Sequence, residues 1–400
     1  MAEAVIVAAA RSPIGRASKG SLIECRPDNL AATVVKAVLA KVPQLDPDSV
    51  QDLLLGCGEP AGESGFNMAR VVALLAGMPE VPGVTVNRYC SSSLQTIRMA
   101  FHAIKAGEGD VFVAAGVETV SRFSSGFADS GPHNPIFAEA EERTFQQAQG
   151  ATSWEPPAGL PNVHIAMGQT AENVRLLENI SRLEMDEFAC LSQQRAVASR
   201  DNGFFDREIV PITTPGGAVV SKDDGPRPGT TVEVLATLKP VFRPNGEITA
   251  GNSCPLNDGA AAVVVMSDSK ARELGITPLA RIVASGVSAL NPEIMGLGPI
   301  EASRQALKRA GMTINDIDLV EINEAFAAQV IPSARHLGIP WDKLNVNGGA
   351  IALGHPYGMT GARIMTTLIN GLRTADKTFG LETMCVGGGQ GMAMIIERLS

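Results

Sequence analysis

The 400-residue chain has no long hydrophobic run, no basic run and no pair of cysteines at C-x-x-C spacing. Each absence removes a class of function. The longest early apolar stretch, "AVIVAAA" at 4–10, is too short to span a membrane, and it lacks the basic start of a signal peptide. With a net charge of −9 and only 19% charged residues, the chain offers no basic surface to track a phosphate backbone. Any anionic ligand must be held by a local cluster rather than by the global field. The six cysteines (25, 57, 90, 190, 254 and 385) are scattered, which argues against a disulfide framework and against a bound metal. A cytoplasmic protein with reduced thiols, no membrane span and no nucleic-acid partner is expected.

What is present is 45% hydrophobic residues, 41 glycines and 25 prolines, a composition that suits a well-buried α/β enzyme with many tight turns. Four hundred residues exceed one ordinary core, so two or three domains are expected. An internal repeat indicates their arrangement. "NLAATVVKAVLAKV" (29–42) and "IEASRQALKRAGM" (300–312) read as helices, while "DLLLG" (52–56) and "DLVEIN" (318–323) read as buried strands. "TVNRYC" (85–90) answers to "NVNGGA" (345–350), each a strand turning towards a helix, and "DVFVAAG" (110–116) answers to "ETMCVGG" (382–388). The offset stays between 260 and 271 residues, which implies two copies of one βαβ-rich unit.

The last strand of the second copy, "GMAMIIERL" (391–399), follows at once. Its counterpart "GAAAVVVMSD" (259–268) arrives only after about 140 further residues. The intervening segment is rich in turns, and Ser181 with Glu184 forms a capping box ahead of a helix over 182–200. The expected division is therefore 1–118 with 256–272 as the N-terminal half, 119–255 as an inserted domain, and 273–400 as the C-terminal half.

Four segments carry chemistry. Cys90 stands where an extended run stops and a helix begins, since Leu94, Ile97, Phe101 and Ile104 recur at helical spacing and Gly107 supplies a stop. Orphan N–H groups at a helix N-terminus favour an anionic side chain there. A thiol of pKa about 8.5 is only a few per cent thiolate at pH 7. A helix end worth about 1 kcal/mol lowers that pKa by less than about one unit, so a base is needed. His355, in "NGGAIALGHPYGMTGARI" (347–364), occupies the matching junction of the second copy, among glycines that permit close backbone approach. "EINEAFAAQ" (321–329) puts Asn323 and Glu324 at a strand end leading into a helix, and "CVGGGQG" (385–391) adds Cys385 and a glycine run containing Gly387. Acyl transfer needs such a set: a nucleophile, a base, a group that moves a carbon-bound proton, and N–H donors for an oxyanion.

In order and spacing, "VNRYCSSSLQ", "NEAFA", "NGGAIALGHPYGMTG" and "CVGGGQG" resemble the thiolases. Softer likenesses at "RSPIG" (11–15), "MGQTAENV" (167–174) and "LKPVF" (238–242) extend the resemblance over essentially the whole chain. It implies an α/β thiolase fold, two duplicated βαβ-rich halves in a five-layered α/β/α/β/α arrangement, with an inserted loop domain that covers CoA. It implies Cys90 as the acylated nucleophile, His355 as its activator and Cys385 as the group that exchanges the α-proton. The Asn323 position would orient a water that forms one oxyanion hole with His355, and the N–H groups of Cys90 and Gly387 would form the other. CoA would contact Arg227 near its nucleotide end, Cys254 along the pantetheine, and Leu238.

By the same resemblance no cofactor is permanently bound, since coenzyme A and acyl-CoA are substrates. The protein would be a homodimer or homotetramer acting beside other β-oxidation enzymes. The implied reaction is CoA-dependent cleavage of 3-ketoacyl-CoA to acetyl-CoA and a shortened acyl-CoA. Alternatives are a short-chain acetyl-CoA acetyltransferase, a decarboxylating condensing enzyme, against which Cys385 counts, and a non-catalytic acyl-CoA-binding relative. Ala166 stands where short-chain thiolases often carry histidine, which favours medium or longer acyl chains.

Overall fold

The computed structural model describes residues 2–400. Among them run twelve strands: β1 (Ala4–Arg11), β2 (Gly15–Arg16), β3 (Asp52–Gly56), β4 (Gly83–Val86), β5 (Val111–Thr119), β6 (Ile212–Thr213), β7 (Val219–Val220), β8 (Asn257–Ser267), β9 (Ala280–Ala289), β10 (Leu319–Ile322), β11 (Phe379–Val386) and β12 (Gln390–Arg398). The N-terminal half has the order β4-β3-β5-β8-β1 and the C-terminal half the order β10-β11-β12-β9. Pairing repeats as well: β3 with β5 and β10 with β11 are parallel, while β5–β8–β1 and β11–β12–β9 are antiparallel. The halves meet through β1 and β9, which share only the pairs Val5–Arg281 and Ile6–Ala280.

Period-two alternation then assigns each strand face to a layer. Val5 and Val7, Leu53 and Leu55, and Val113 and Ala115 face an outer cluster covered by the helices Pro27–Ala40 and Met68–Ala76. Ile6, Leu54, Ala114 and Val263 face the opposite way, into a middle cluster built on the helices Ser92–Ala106 and Thr360–Thr374. Met384, Met394 and Ile396 of the second half close that middle cluster, whereas Val320, Leu381 and Ile395 turn outward to the helices Gly298–Ala310 and Ala327–Leu337. The fold is thus five-layered, α/β/α/β/α. The two middle helices belong to different halves and approach closely. A Cβ at Gly361 would stand 2.2 Å from the backbone nitrogen of Leu94, so only glycine fits there.

Between β5 and β8 the chain leaves this frame and forms the helices Ala138–Ala148, Met167–Glu178 and Arg182–Asp201 and the small β6–β7 hairpin. The capping box of Ser181 with Glu184 opens the third of these helices. Arg11 of β1 ties this region down: its buried guanidinium contacts Glu208 at 2.8 Å and Asp223 at 2.8 and 2.9 Å. One expectation fails. Residues 345–350 form no strand, and only a single bridge, Val320–Leu344, holds that edge. Asn345 (φ 45°) and Gly348 (φ 82°) turn the chain out of the ladder. No helix among the described residues is long and apolar enough to cross a membrane.

Candidate active site

Cys90 occupies a single tight turn, Tyr89–Ser91, between β4 and the helix Ser92–Ala106. Tyr89 has φ of 42°, a left-handed conformation that a bulky residue holds only under constraint. Ser92 supplies part of that constraint, accepting from Arg88 N–H at 2.9 Å and donating to the Tyr89 carbonyl at 2.7 Å. The N–H groups of Cys90 itself and of Gly387 point at the thiol sulfur. Burial still prevails and pushes the thiol up to about 11, against the pull of those two donors. The resting nucleophile is therefore a thiol, as the small pull of a helix N-terminus leads one to expect, and burial makes its need for a base greater still.

His355 is placed by contacts on both sides. Its N–H donates to Asn257 Oδ1 at 3.0 Å, while Asn257 Nδ2 donates to the Gly15 carbonyl at 2.9 Å. The preceding Gly354 has φ of 117°, and a Cβ there would meet the Asn257 side chain at 2.6 Å. Thr360 Oγ1 lies 2.6 Å from His355 Nδ1 and donates its own proton to the Pro356 carbonyl at 2.8 Å. With that single proton engaged, the hydroxyl can only accept from Nδ1–H, which leaves a lone pair on Nε2. Burial, reinforced by the Arg363 charge, lowers the imidazole to about 3. The ring is a neutral base.

Nε2 lies 3.3 Å from Asn323 Nδ2, and Asn323 Oδ1 is buried with no hydrogen-bond partner. Asn323 does not cap the following helix, whose N-cap is Phe326. Cys385 sits at the end of β11, paired with Gly391 of β12, and is fully buried. Burial pushes its thiol well up, and charge on Cys90 or Cys254 would raise it further, so the three thiols form one neighbourhood.

Two buried carboxyls lock these loops together: Glu324, which the sequence sets beside Asn323 without a role, and Glu118, which sequence reasoning missed. Glu118, at the end of β5, accepts from Gly58 N–H at 2.8 Å, Glu59 N–H at 3.3 Å and Gly358 N–H at 2.9 Å, so it joins the turn after β3 to the His355 loop. Burial pushes it up to about 7 despite these donors. Glu324 accepts from Ser192 Oγ at 2.6 Å, Asn345 Nδ2 at 2.8 Å and Ile351 N–H at 3.0 Å, binding the Asn323 segment to the His355 segment and to the Arg182–Asp201 helix. The only signal for either in the sequence is an acidic residue at the end of an apolar strand.

A cleft of about 480 Å³ opens on Cys90, with Gly387 and Tyr357 at its floor and Asp129, His133 and His164 towards its mouth. Of the other expected contacts, Cys254 stays near Cys90, while Leu238 and Arg227 lie elsewhere. Cys254 is half-buried, and its thiol is raised by burial and by the nearby Cys90. Leu238 is half-buried, its carbonyl accepting from Arg182 at 3.0 Å. Arg227 borders a separate hollow beside Gln194 and Ala198. Ala166 departs from its expected place against the acyl group: it is exposed and lines an adjoining hollow with Phe145 and Phe242, while Ile165 and Met167 face the cleft at Cys90.

A thiol under two N–H donors, a neutral imidazole of fixed tautomer and a second buried thiol, shared between duplicated α/β halves, define an acyl-transfer enzyme. Residues 4–269 match the thiolase N-terminal domain and residues 276–398 the thiolase C-terminal domain. The chain is 44% identical to a 3-ketoacyl-CoA thiolase of Aeromonas hydrophila over the full length of both. It is 45% identical to a 3-oxoadipyl-CoA/3-oxo-5,6-dehydrosuberyl-CoA thiolase of Escherichia coli, again over the full length of both. Among solved structures, the Bacillus anthracis acetyl-CoA acetyltransferase matches with a TM-score of 0.86 and 40% identity, covering 100% of this chain and 99% of that one. The chain belongs to the thiolase family, and it is an acyltransferase.

Proposed function

We propose that the enzyme cleaves 3-ketoacyl-CoA with CoA through an acyl-Cys90 intermediate. His355 Nε2 takes the Cys90 proton, and the thiolate adds to the keto carbon, whose oxygen is met by the N–H groups of Cys90 and Gly387. Collapse breaks the bond between the keto carbon and the α-carbon, leaving the acyl group on Cys90. The electron pair passes into an acetyl-CoA enolate whose oxygen lies at His355 and at a water held by Asn323 Oδ1. Cys385 protonates the α-carbon, the His355 imidazolium returns its proton to the Cys385 thiolate, and acetyl-CoA departs. The thiol of a second CoA, deprotonated by His355, attacks the acyl-cysteine, and Cys90 leaves as the thiol. The observation that carries this reading is the tautomer fixed by Thr360, which gives Cys90 a neutral base in a buried site.

The segment 119–255 serves as the CoA-covering domain, with Arg227, Leu238 and Cys254 along the CoA path. The hollow that Ala166 lines with Phe145 and Phe242 is the space a medium or longer acyl chain would take, and alanine adds no bulk there. Fatty-acid β-oxidation in the cytoplasm, by a homo-oligomer, is the role that agrees with this specificity. The test is kcat/KM for 3-ketoacyl-CoA of four, eight and twelve carbons, followed by loss of the Mg²⁺–enolate absorbance. A steep fall from four to eight carbons would identify a short-chain acetyl-CoA acetyltransferase instead, and no turnover would refute the thiolase reading.

A further inference from the structure

Relatives of similar identity differ in substrate: one carries the name of a 3-ketoacyl-CoA thiolase, another that of a thiolase for 3-oxoadipyl-CoA, whose acyl chain ends in a carboxylate. The cleft at Cys90 bears on that distinction. Glu59 and Asp129 both line it, and no lysine or arginine does. Glu59 is buried beside the catalytic turn, and Asp129 reaches it from the covering loop, donating its N–H to Glu59 Oε2 at 3.0 Å. Tyr89, next to the nucleophile, donates its hydroxyl to Asp129 Oδ1 at 3.2 Å, so the pair lines the way from the mouth of the cleft to the catalytic turn. Burial, with the neighbouring Asp129 carboxylate adding to it, pushes Glu59 up to about 7, so a further anion placed beside the pair meets Asp129 and a carboxyl that already resists ionising.

The cations that could answer a substrate carboxylate are His133 and His164, and their geometry works against it. Their rings stack at 3.7 Å with planes 9° apart, so protonating both would bring two like charges into contact. His133 Nδ1 is also taken up by Glu141 Oε1 at 2.8 Å. Both rings are therefore already partnered, His164 by His133 and His133 by Glu141 as well.

We propose that Glu59 and Asp129 determine acyl specificity, excluding chains that end in a carboxylate and admitting uncharged ones. This rests on the thiolase reading above and deepens it. A like charge brought into a low-dielectric cleft is strongly disfavoured, whereas a methyl end meets no penalty.

The experiment compares 3-oxohexanoyl-CoA with 3-oxoadipyl-CoA, which have the same carbon count and differ in the terminal carboxylate. The parent enzyme is expected to favour 3-oxohexanoyl-CoA by at least about tenfold in kcat/KM. Asp129→Asn, at an exposed position, and Glu59→Gln should each narrow that ratio by at least about threefold. If Glu59→Gln fails to fold, Asp129→Asn alone decides. A parent ratio near one, or a ratio that neither folded variant moves, overturns the proposal. So does a preference for 3-oxoadipyl-CoA that His164→Ala abolishes, because the histidines would then be reading the carboxylate. Failure to cleave either substrate would count against the thiolase reading, a separate result.

Discussion

Thr360→Val removes one hydroxyl from behind the catalytic base while keeping shape and volume nearly constant. In the parent, that oxygen accepts from His355 Nδ1–H at 2.6 Å and returns its own proton to the Pro356 carbonyl at 2.8 Å. Valine leaves Nδ1–H buried without a partner, at a penalty of about 1–3 kcal/mol. The alternative tautomer then gains ground, because Nε2–H can donate to the Asn323 amide oxygen, which has no partner in the parent. That tautomer cannot take a proton from Cys90. A bias of about 1–3 kcal/mol corresponds to a loss of about 5- to 150-fold in the base-competent population. The rate of Cys90 acetylation by acetyl-CoA, followed by quenched-flow mass spectrometry, should fall by that factor. Thr360→Ser, which restores an acceptor, should stay near the parent value. Acetylation of the valine variant within about twofold of the parent, with unchanged circular dichroism, would refute the assignment of Nε2 as the base.

Cys90→Ser should abolish turnover with little change in melting temperature, since a hydroxyl fits the site but is far harder to ionise; acetyl label on Cys254 or Cys385 of the parent would contradict this. Cys385→Ser should retain acyl transfer to Cys90 while losing α-proton exchange of acetyl-CoA in deuterated buffer, and equal loss of both would argue against separate roles. Stability should decline from about pH 6.5 to 8.5, because burial raises the folded-state pKa of Glu118 to about 7 and of Glu321 to about 8. Their protonated forms stabilise the fold fully below the unfolded value near 4.5, and that contribution is lost as pH rises through 7 and 8. His355, lowered to about 3, acts oppositely only below its unfolded value near 6.5, so melting curves above that pH should isolate the carboxyls, with Glu118→Gln flattening the slope.

Three of the four residues proposed for catalysis stood out in the sequence because the neighbours of each betray a constraint. Glycines flank His355, a helix starts just beyond Cys90, and a glycine run follows Cys385. The duplication was legible through buried strands of matching order, and β8 even reads as an unbroken apolar run because both its faces are covered. The ties that hold the quartet were not. Glu118 acts on Gly358 across 240 residues, and Asn257 acts on His355 across 98, distances at which no local pattern carries information. The strand expected at 345–350 was misjudged for a related reason. Its copy in the first half is a true edge strand, but positive φ at Asn345 and Gly348 bends the second copy into the turn that Glu324 grips.

Placing the nucleophile in one half and its base in the other has a consequence for the chain as it is made. Cys90 emerges from the ribosome 265 residues before His355. At about 5–20 residues per second, some 13–50 s pass before its base exists. Through that interval the thiol lacks its positioned base and the Gly387 N–H, so the nascent first half shows only the slow reactivity of an ordinary thiol towards thioesters. A product truncated before His355 carries the nucleophile without the groups that activate it. Catalytic reactivity arises only when the Thr360–Thr374 helix packs beside Ser92–Ala106 and brings the His355 loop to Cys90.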